Sequence, residues 1–288
     1  MIRLANEQIT PLVREMWETC FDDTDEFIDL YFSRKYKPEN TLVYFQEGKA
    51  IASLQMLPYT ITFYGETIPF YYLAGLCTLP EYRGRGYMTD LIHHSHQLMD
   101  ERDIPLSILL PAENSLYAYY QRFGYEQVFD EGMEPVYSLK KILDTFPDIN
   151  DAYRTFNALY KTKDFCVQKS FDDFFTIVEE QKMDGFPVKY NLPGMARIIN
   201  ETWLLNLYAN KNHHIEKHIK IVDSSLGENA IFTITRGYAE CMGAEGSDIE
   251  VDIRLLCRLL FGYKTNELPK PYSSLFPVHN PIMNYMLE

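Results

Sequence analysis

The sequence predicts an α+β fold, on three observations. Two amphipathic helical segments come first, a run of period-two strands follows, and one strand then passes through a basic glycine turn into a helix. Pro11 to Cys20 and Asp25 to Ser33 are expected as helices, because Val13, Trp17, Phe27, Leu30 and Tyr31 recur at helical spacing. Between and within them lies an acidic cluster, Asp22, Asp23, Asp25, Glu26 and Asp29. Aspartate is favoured at helix N-termini, so a cap plus a solvated face accounts for it. The functional reading is a wall that attracts a substrate ammonium group.

From Thr41 the period changes to two. Thr41–Gln46, Ala50–Pro58, Tyr59–Tyr64 and Thr67–Tyr72 read as an antiparallel meander, with turns at Glu47-Gly48 and Gly65-Glu66. The meander leads into a core strand, Leu73–Leu79, and the chain then turns through Arg83-Gly84-Arg85-Gly86 into a helix from Tyr87 to Arg102. At such a junction the first backbone N–H groups of the helix have no intrahelical partner. The helix dipole adds partial positive charge, and glycine lets an anion come close. The expected ligand is a phosphate or pyrophosphate, against the plain alternative of a tight turn.

The wording of the turn favours the phosphate site. R-G-R-G-Y-M, residues 83–88, resembles the acyl-CoA motif R/Q-x-x-G-x-G/A of the GNAT superfamily of N-acetyltransferases, with Arg83 and Gly86 at its first and fourth positions. Met88 stands where a Gly or Ala is usual, and a bulky residue there resembles the Eis-type (enhanced intracellular survival) branch. Further on come a short strand, Leu106–Leu110, and a final strand from Tyr125 to Leu139. Before the latter, Y-Y-Q-R-F-G-Y (residues 119–125) resembles the Y-x-x-x-G-F/Y signature that closes a GNAT domain, with Tyr120 four residues before Gly124. The resemblance implies a GNAT domain over residues 1–140.

Residues 141–193 read as a helical linker or reduced middle domain, with helices at Lys140–Phe146, Asp151–Thr162 and Ser170–Gln181 and a strand at Phe186–Tyr190. They are too few for the second GNAT domain that Eis-type proteins usually carry. Residues 194–288 resemble a sterol-carrier-like domain: M-A-R-I-I-N and Trp203-Leu204-Leu205 at its opening, and D-I-E-V-D-I-R-L-L-C-R-L-L-F-G at its last strand and helix. Strands are expected at Ile219–Asp223 and Ala230–Thr235 from their β-branched content. The tail from Asn266 is expected to lie against the protein, since its apolar residues would be costly to leave wet.

Composition narrows the partners. The chain has 288 residues, 46% of them hydrophobic, and a formal net charge of -14. Nucleic acid and anionic membrane are disfavoured, and a cationic substrate fits better. Five scattered cysteines with no C-x-x-C pair read as reduced thiols, and no signal peptide or apolar run of spanning length is seen, so a soluble cytoplasmic protein is expected. His93, His94 and His96, and His213, His214 and His218, lack the companion ligands of a zinc site, so no metal is expected.

The resemblance also implies roles. Arg83, Gly84, Arg85, Gly86, Tyr87, Met88 and Thr89 would cradle the pyrophosphate of acetyl-CoA, and Leu76, Cys77 and Thr78 would pair with the pantetheine amides at a strand edge; Asn114 joins the cofactor-binding candidates. Tyr120 matches the general acid: a phenol of pKa about 10 can protonate a thiolate of pKa about 8.5 as it leaves. In Eis-type enzymes the terminal carboxylate reaches the active site, which implies that of Glu288 as base; Glu81, Glu113 and the Asp22–Glu26 cluster are the alternatives. Cys77 as an acyl-enzyme nucleophile lacks a His or Asp partner in the sequence. The reaction implied is acetyl transfer to a primary amine of a cationic small molecule or lysine. The rival is a non-catalytic acyl-CoA or apolar-ligand binding protein, and the oligomeric state stays open, a homo-oligomer included.

Overall fold

β1 (Ile2–Leu4) and two helices, α1 (Thr10–Cys20) and α2 (Asp25–Arg34), precede three antiparallel strands, β2 (Thr41–Gln46), β3 (Lys49–Phe63) and β4 (Glu66–Thr78), in a computed structural model that describes residues 1–242 and 246–287. α2 starts where a side chain relieves an orphan donor, the Thr24 hydroxyl accepting from the Phe27 N–H at 3.3 Å. Both helices turn apolar faces inward through Val13, Met16, Trp17, Ile28, Leu30 and Tyr31.

β3 and β4 are each one continuous strand where the sequence reading breaks them in two. Pro58 does not end β3, because it falls between the stretch paired with β2 (up to Gln55) and the stretch Thr60–Thr62 taken by a later strand. Positive φ at Glu47 and Gly48, and at Tyr64 and Gly65, gives both hairpins the two-residue turn that matches strand twist. The second turn comes one residue earlier than expected.

The chain continues through α3 (Tyr87–Glu101), β5 (Leu106–Leu109), α4 (Asn114–Gln121) and β6 (Glu126–Phe129). The long final strand expected to reach Leu139 is thus confined to four residues. A helical insertion follows: α5 (Leu139–Thr145), α6 (Ile149–Tyr160), β7 (Cys166–Gln168) and α7 (Phe171–Met183). Phe186–Tyr190, expected as a strand, has no regular structure, and Val188 there is largely exposed.

β8 (Gly194–Ile198) then returns to the first sheet, whose order is β1-β2-β3-β4-β5-β8-β6, with β7 on β3. It runs antiparallel to both neighbours, Leu106 opposite Ile198 and Glu126 opposite Ala196. The sequence reading assigns this segment to the C-terminal domain; the sheet itself crosses the boundaries placed at 140 and 193. After α8 (Glu201–Lys211) comes a second sheet of β9 (Lys217–Asp223), β10 (Glu228–Thr235), β11 (Tyr238–Met242) and β12 (Ile249–Asp252), in the order β11-β10-β9-β12. α9 (Ile253–Leu260) and the short α10 (Tyr272–Leu275) close the element list.

One large apolar core joins the α1/α2 face of the first sheet to α8, α9 and the second sheet. A second lies under α3 and α4, and a third holds the insertion together. The tail lies against the protein as expected: Phe276, Met283, Tyr285, Met286 and Leu287 are buried. No helix among the described residues is long and apolar enough to cross a membrane.

Candidate active site

The site begins where two parallel strands part. β4 and β5 are in register only at Tyr71–Ser107 and Tyr72–Ile108; β5 ends at Leu109, while β4 runs on to Thr78. The register of β3 against β4 also shifts between Ser53 and Gln55, opposite Gly75. Gly75 has φ +57°, and a Cβ there would stand 2.5 Å from the Trp17 ring and 2.8 Å from Gln55 Nε2. Only glycine fits. The bulge turns β4 away from β5 and leaves an unshared strand edge from Leu73 to Thr78.

Beyond that edge a short turn at Pro80–Tyr82 leads into Gly84 (φ +75°) and Gly86 (φ +88°), the latter immediately before α3. Arg83 Nε donates to the Thr78 carbonyl at 3.0 Å and Arg85 to the Glu81 carbonyl at 2.9 Å, so both arginines brace the loop. The first turn closes with the Asp90 N–H on the Gly86 carbonyl, and the N–H groups of Gly84 to Thr89 take no backbone acceptor among the described residues. A Cβ built on Gly84 or Gly86 meets nothing within 4 Å, so the space before these donors is open. An anion of phosphate size fits there.

The strand edge and the turn share one cleft of about 830 Å3. It is lined by Leu76, Cys77, Thr78 and every residue from Arg83 to Thr89; of the cofactor candidates Asn114 alone stands outside, one residue past the lining Glu113. Cys20, Phe21, Tyr82, Leu116, Tyr119 and Arg122 complete the wall and were not singled out from the sequence. Met88 also packs into the core beneath α3, which gives a large side chain a place there.

Tyr119, not Tyr120, borders the cleft. Tyr120 is 7% exposed and packs against Tyr119 and Tyr125, with ring centroids 5.3 and 6.0 Å away. Burial pushes the pKa of both Tyr119 and Tyr120 up, so each phenol holds its proton at neutral pH. Behind them His96 Nε2 lies 3.1 Å and Ser107 Oγ 2.6 Å from the Tyr125 hydroxyl, a buried polar chain that no local motif announces. Glu288 lies outside the described residues. In the tail before it, the Leu192 N–H donates to the Met283 carbonyl at 2.7 Å, and the Met283 methyl crowds Gly194 beside the end of β5.

Much of the acidic cluster has a structural role. Asp25 and Glu26 sit in the first turn of α2, Asp23 accepts from the Trp17 indole at 2.7 Å, and Asp29 pairs with Arg14 at 2.8 Å. Glu81 is paired with Lys49 at 3.0 Å, and Glu113 accepts from Ser115 at 3.1 Å. No group of three or more His, Cys, Asp or Glu among the described residues could hold a metal ion.

A parallel strand pair that parts beside a glycine turn, on a sheet of this order, is the GNAT acyltransferase fold. Residues 1–128 match the family model of the acetyltransferase (GNAT) domain, and this part of the chain is an acetyltransferase domain. No curated protein matches the sequence. Among solved structures, a protein of unknown function from Enterococcus faecalis V583, described as a probable N-acyltransferase, is similar with a TM-score of 0.69 at 14% identity, over 99% of this chain and 98% of the other. A GCN5-related N-acetyltransferase from Anabaena variabilis ATCC 29413 gives 0.64 at 18%, over 99% and 100%. Eis1 from Mycobacterium abscessus gives 0.62 at 11%, over 98% and 100%. The shared fold therefore extends over the whole chain.

Proposed function

We propose that the protein is an acetyl-CoA-dependent N-acetyltransferase acting on a primary amine of a cationic small molecule or a lysine. One observation carries this reading: open backbone donors at the head of α3 and the unshared edge of β4 line the same cleft. Arg83 to Thr89 hold the pyrophosphate, and Leu76 to Thr78 bond the pantetheine amides as an added strand would. Held in this way, the thioester lies toward the parting of β4 and β5, where the amine attacks its carbonyl carbon and the thiolate leaves. Tyr120 gives the thiolate its proton; its hydroxyl has no hydrogen-bond partner among the described residues, so it is uncommitted. The place of Tyr119 on the cleft wall favours it as the second candidate. The main-chain carboxylate of Glu288 takes the ammonium proton, as the resemblance to Eis-type enzymes implies. The net charge of -14 favours a cationic acceptor.

We further propose an Eis-like enzyme of the cytoplasm, in which the chain from α8 onward is a sterol-carrier-like unit. A pocket of about 360 Å3 on that unit is lined by Glu201, Asp223 and Glu228 beside Ile221 and Phe232. That lining suits an apolar ligand poorly and counts against an apolar-ligand binding protein. The test is release of CoA thiol from acetyl-CoA against a panel of amines. Tight acetyl-CoA binding without thiol release for any amine would overturn the catalytic reading in favour of a binding protein.

A further inference from the structure

Two of the five cysteines meet in the cofactor cleft. Cys20 ends α1 and Cys77 lies in the last turn of pleat of β4, and both line the same wall. The Cys20 thiol donates to the carbonyl of Thr78, the residue next to Cys77, at 3.6 Å. Arg83 Nε bonds that same carbonyl at 3.0 Å, which sets a guanidinium beside the Cys20 sulfur. The Cys77 thiol is buried against Ser53 Oγ at 3.2 Å. Cys20 is only partly buried, so the pair has one member open to the cleft and one behind it.

We propose that Cys20 is a site of oxidative modification by hydroperoxides, with Cys77 as its resolving partner, and that the resulting disulfide closes the cofactor cleft. An oxidisable cysteine has thiolate character, access to solvent and a second thiol within reach. Contact with the Cys77 thiol, assisted by Arg83, lowers the pKa of Cys20. The same contact, together with burial, raises that of Cys77. The remaining cysteines lack the combination: Cys166 and Cys257 are buried with thiols pushed up by burial, and Cys241 is exposed on β11.

The chemistry balances in two steps. The Cys20 thiolate attacks one peroxide oxygen; an S–O bond forms, the O–O bond breaks, and hydroxide leaves to become water with the thiol's proton. The Cys77 sulfur then attacks the sulfenic sulfur of Cys20; the S–S bond forms, the S–O bond breaks, and hydroxide leaves with the Cys77 proton as a second water. Two thiols lose two electrons and the peroxide is reduced. The bond ties the end of α1 to the edge of β4 where the pantetheine would lie, so the cleft narrows at its middle.

The loss of affinity rests on the acetyl-CoA reading above; the disulfide does not. Full-length protein is treated with hydrogen peroxide, its free thiols are alkylated, and it is analysed by intact mass and peptide mapping. The expected result is the loss of two hydrogen atoms in a Cys20–Cys77 cross-link, reversed by dithiothreitol. Cys77→Ser should stop at a sulfenic acid on Cys20 that traps dimedone, and Cys20→Ser should give neither product. Oxidised wild type should lose acetyl-CoA affinity by calorimetry and regain it on reduction. Cys20 and Cys77 both alkylated after peroxide, or Cys241 oxidised first, would overturn the proposal. A Cys20–Cys77 cross-link that forms at the same rate with saturating acetyl-CoA would keep the disulfide and remove the cofactor reading instead.

Discussion

Two strand-to-helix junctions in this molecule do opposite things with the same backbone groups. β12 runs straight into α9, and Asp252 caps the helix, its carboxylate accepting from the Leu255 N–H at 2.7 Å. β12 also stays in parallel register with β9 over four residues, so this pair does not part before the helix begins. β4 reaches α3 only through a turn; Gly86 at the cap position has no side chain to offer, and the neighbouring strand has already parted. A helix start satisfied from within is a structural joint. One left unsatisfied in an open cleft is a binding site, and the difference is one carboxymethyl group.

The comparison breaks most completely if the second junction is given the cap of the first. Gly86→Asp brings a carboxylate to the helix start, where it competes with phosphate for the same donors and repels it. Calorimetry should register no acetyl-CoA binding. Gly86→Ala separates charge from conformation: its Cβ has room, but φ +88° disfavours any side chain. Ala should therefore lower the melting temperature while retaining part of the affinity; unchanged binding in the Asp variant would dispose of the phosphate assignment.

Next in size are changes to the chemistry the open junction serves. Tyr120→Phe should lower kcat by about 10²-fold, the usual scale for a general acid, with acetyl-CoA affinity nearly intact. Should Tyr119→Phe show that loss and Tyr120→Phe not, the proton donor is the residue on the cleft wall. At the chain end, deleting Glu288 moves the carboxylate by up to about 3.5 Å, and even about 1 Å of misplacement can cost around a hundredfold. Glu288→Gln keeps the main-chain carboxylate and should be mild. Turnover unaffected by deletion and by a C-terminal extension alike would send the search for a base to Glu81 or Glu113.

The smallest effect belongs to the closed junction. Asp252→Ala should cost about 1 kcal/mol of stability, the ordinary value of an N-cap. Acetyl-CoA affinity should not change, because α9 begins in the other sheet. A denaturant titration beside a binding isotherm reads both.

What the sequence disclosed follows from how local each signal is. The glycine turn, α3 and the edge of β4 are contiguous, and the chemistry of residues 76–89 could be read in one pass. Tyr119 and Tyr120 could not be ranked that way: one step along a helix rotates a side chain by about 100°, and only the packing of α4 says which ring meets the cleft. Cys20 closes a helix with no companion nearby, and its partner arrives from β4. The place of β8 between β5 and β6 is hidden for a similar reason. Gly194–Ile198 is five buried residues, and a short apolar strand carries no mark of which sheet it will join.

That strand has a consequence for how the protein comes into being. β5 and β6 leave the ribosome early, yet the strand that fits between them follows about 70 residues after β6. At roughly 5–20 residues per second, translation takes about 3–14 s to deliver it. Through that interval the nascent sheet carries two naked edges facing an empty slot, and any other extended segment can compete for them. Within the insertion, α5 packs on α6 and α6 on α7, contacts local in sequence that form quickly by comparison. Their emergence before β8 gives the newborn chain packed helices at its exit, still lacking Tyr285 of the tail, while the slot in the acetyltransferase sheet waits to be filled.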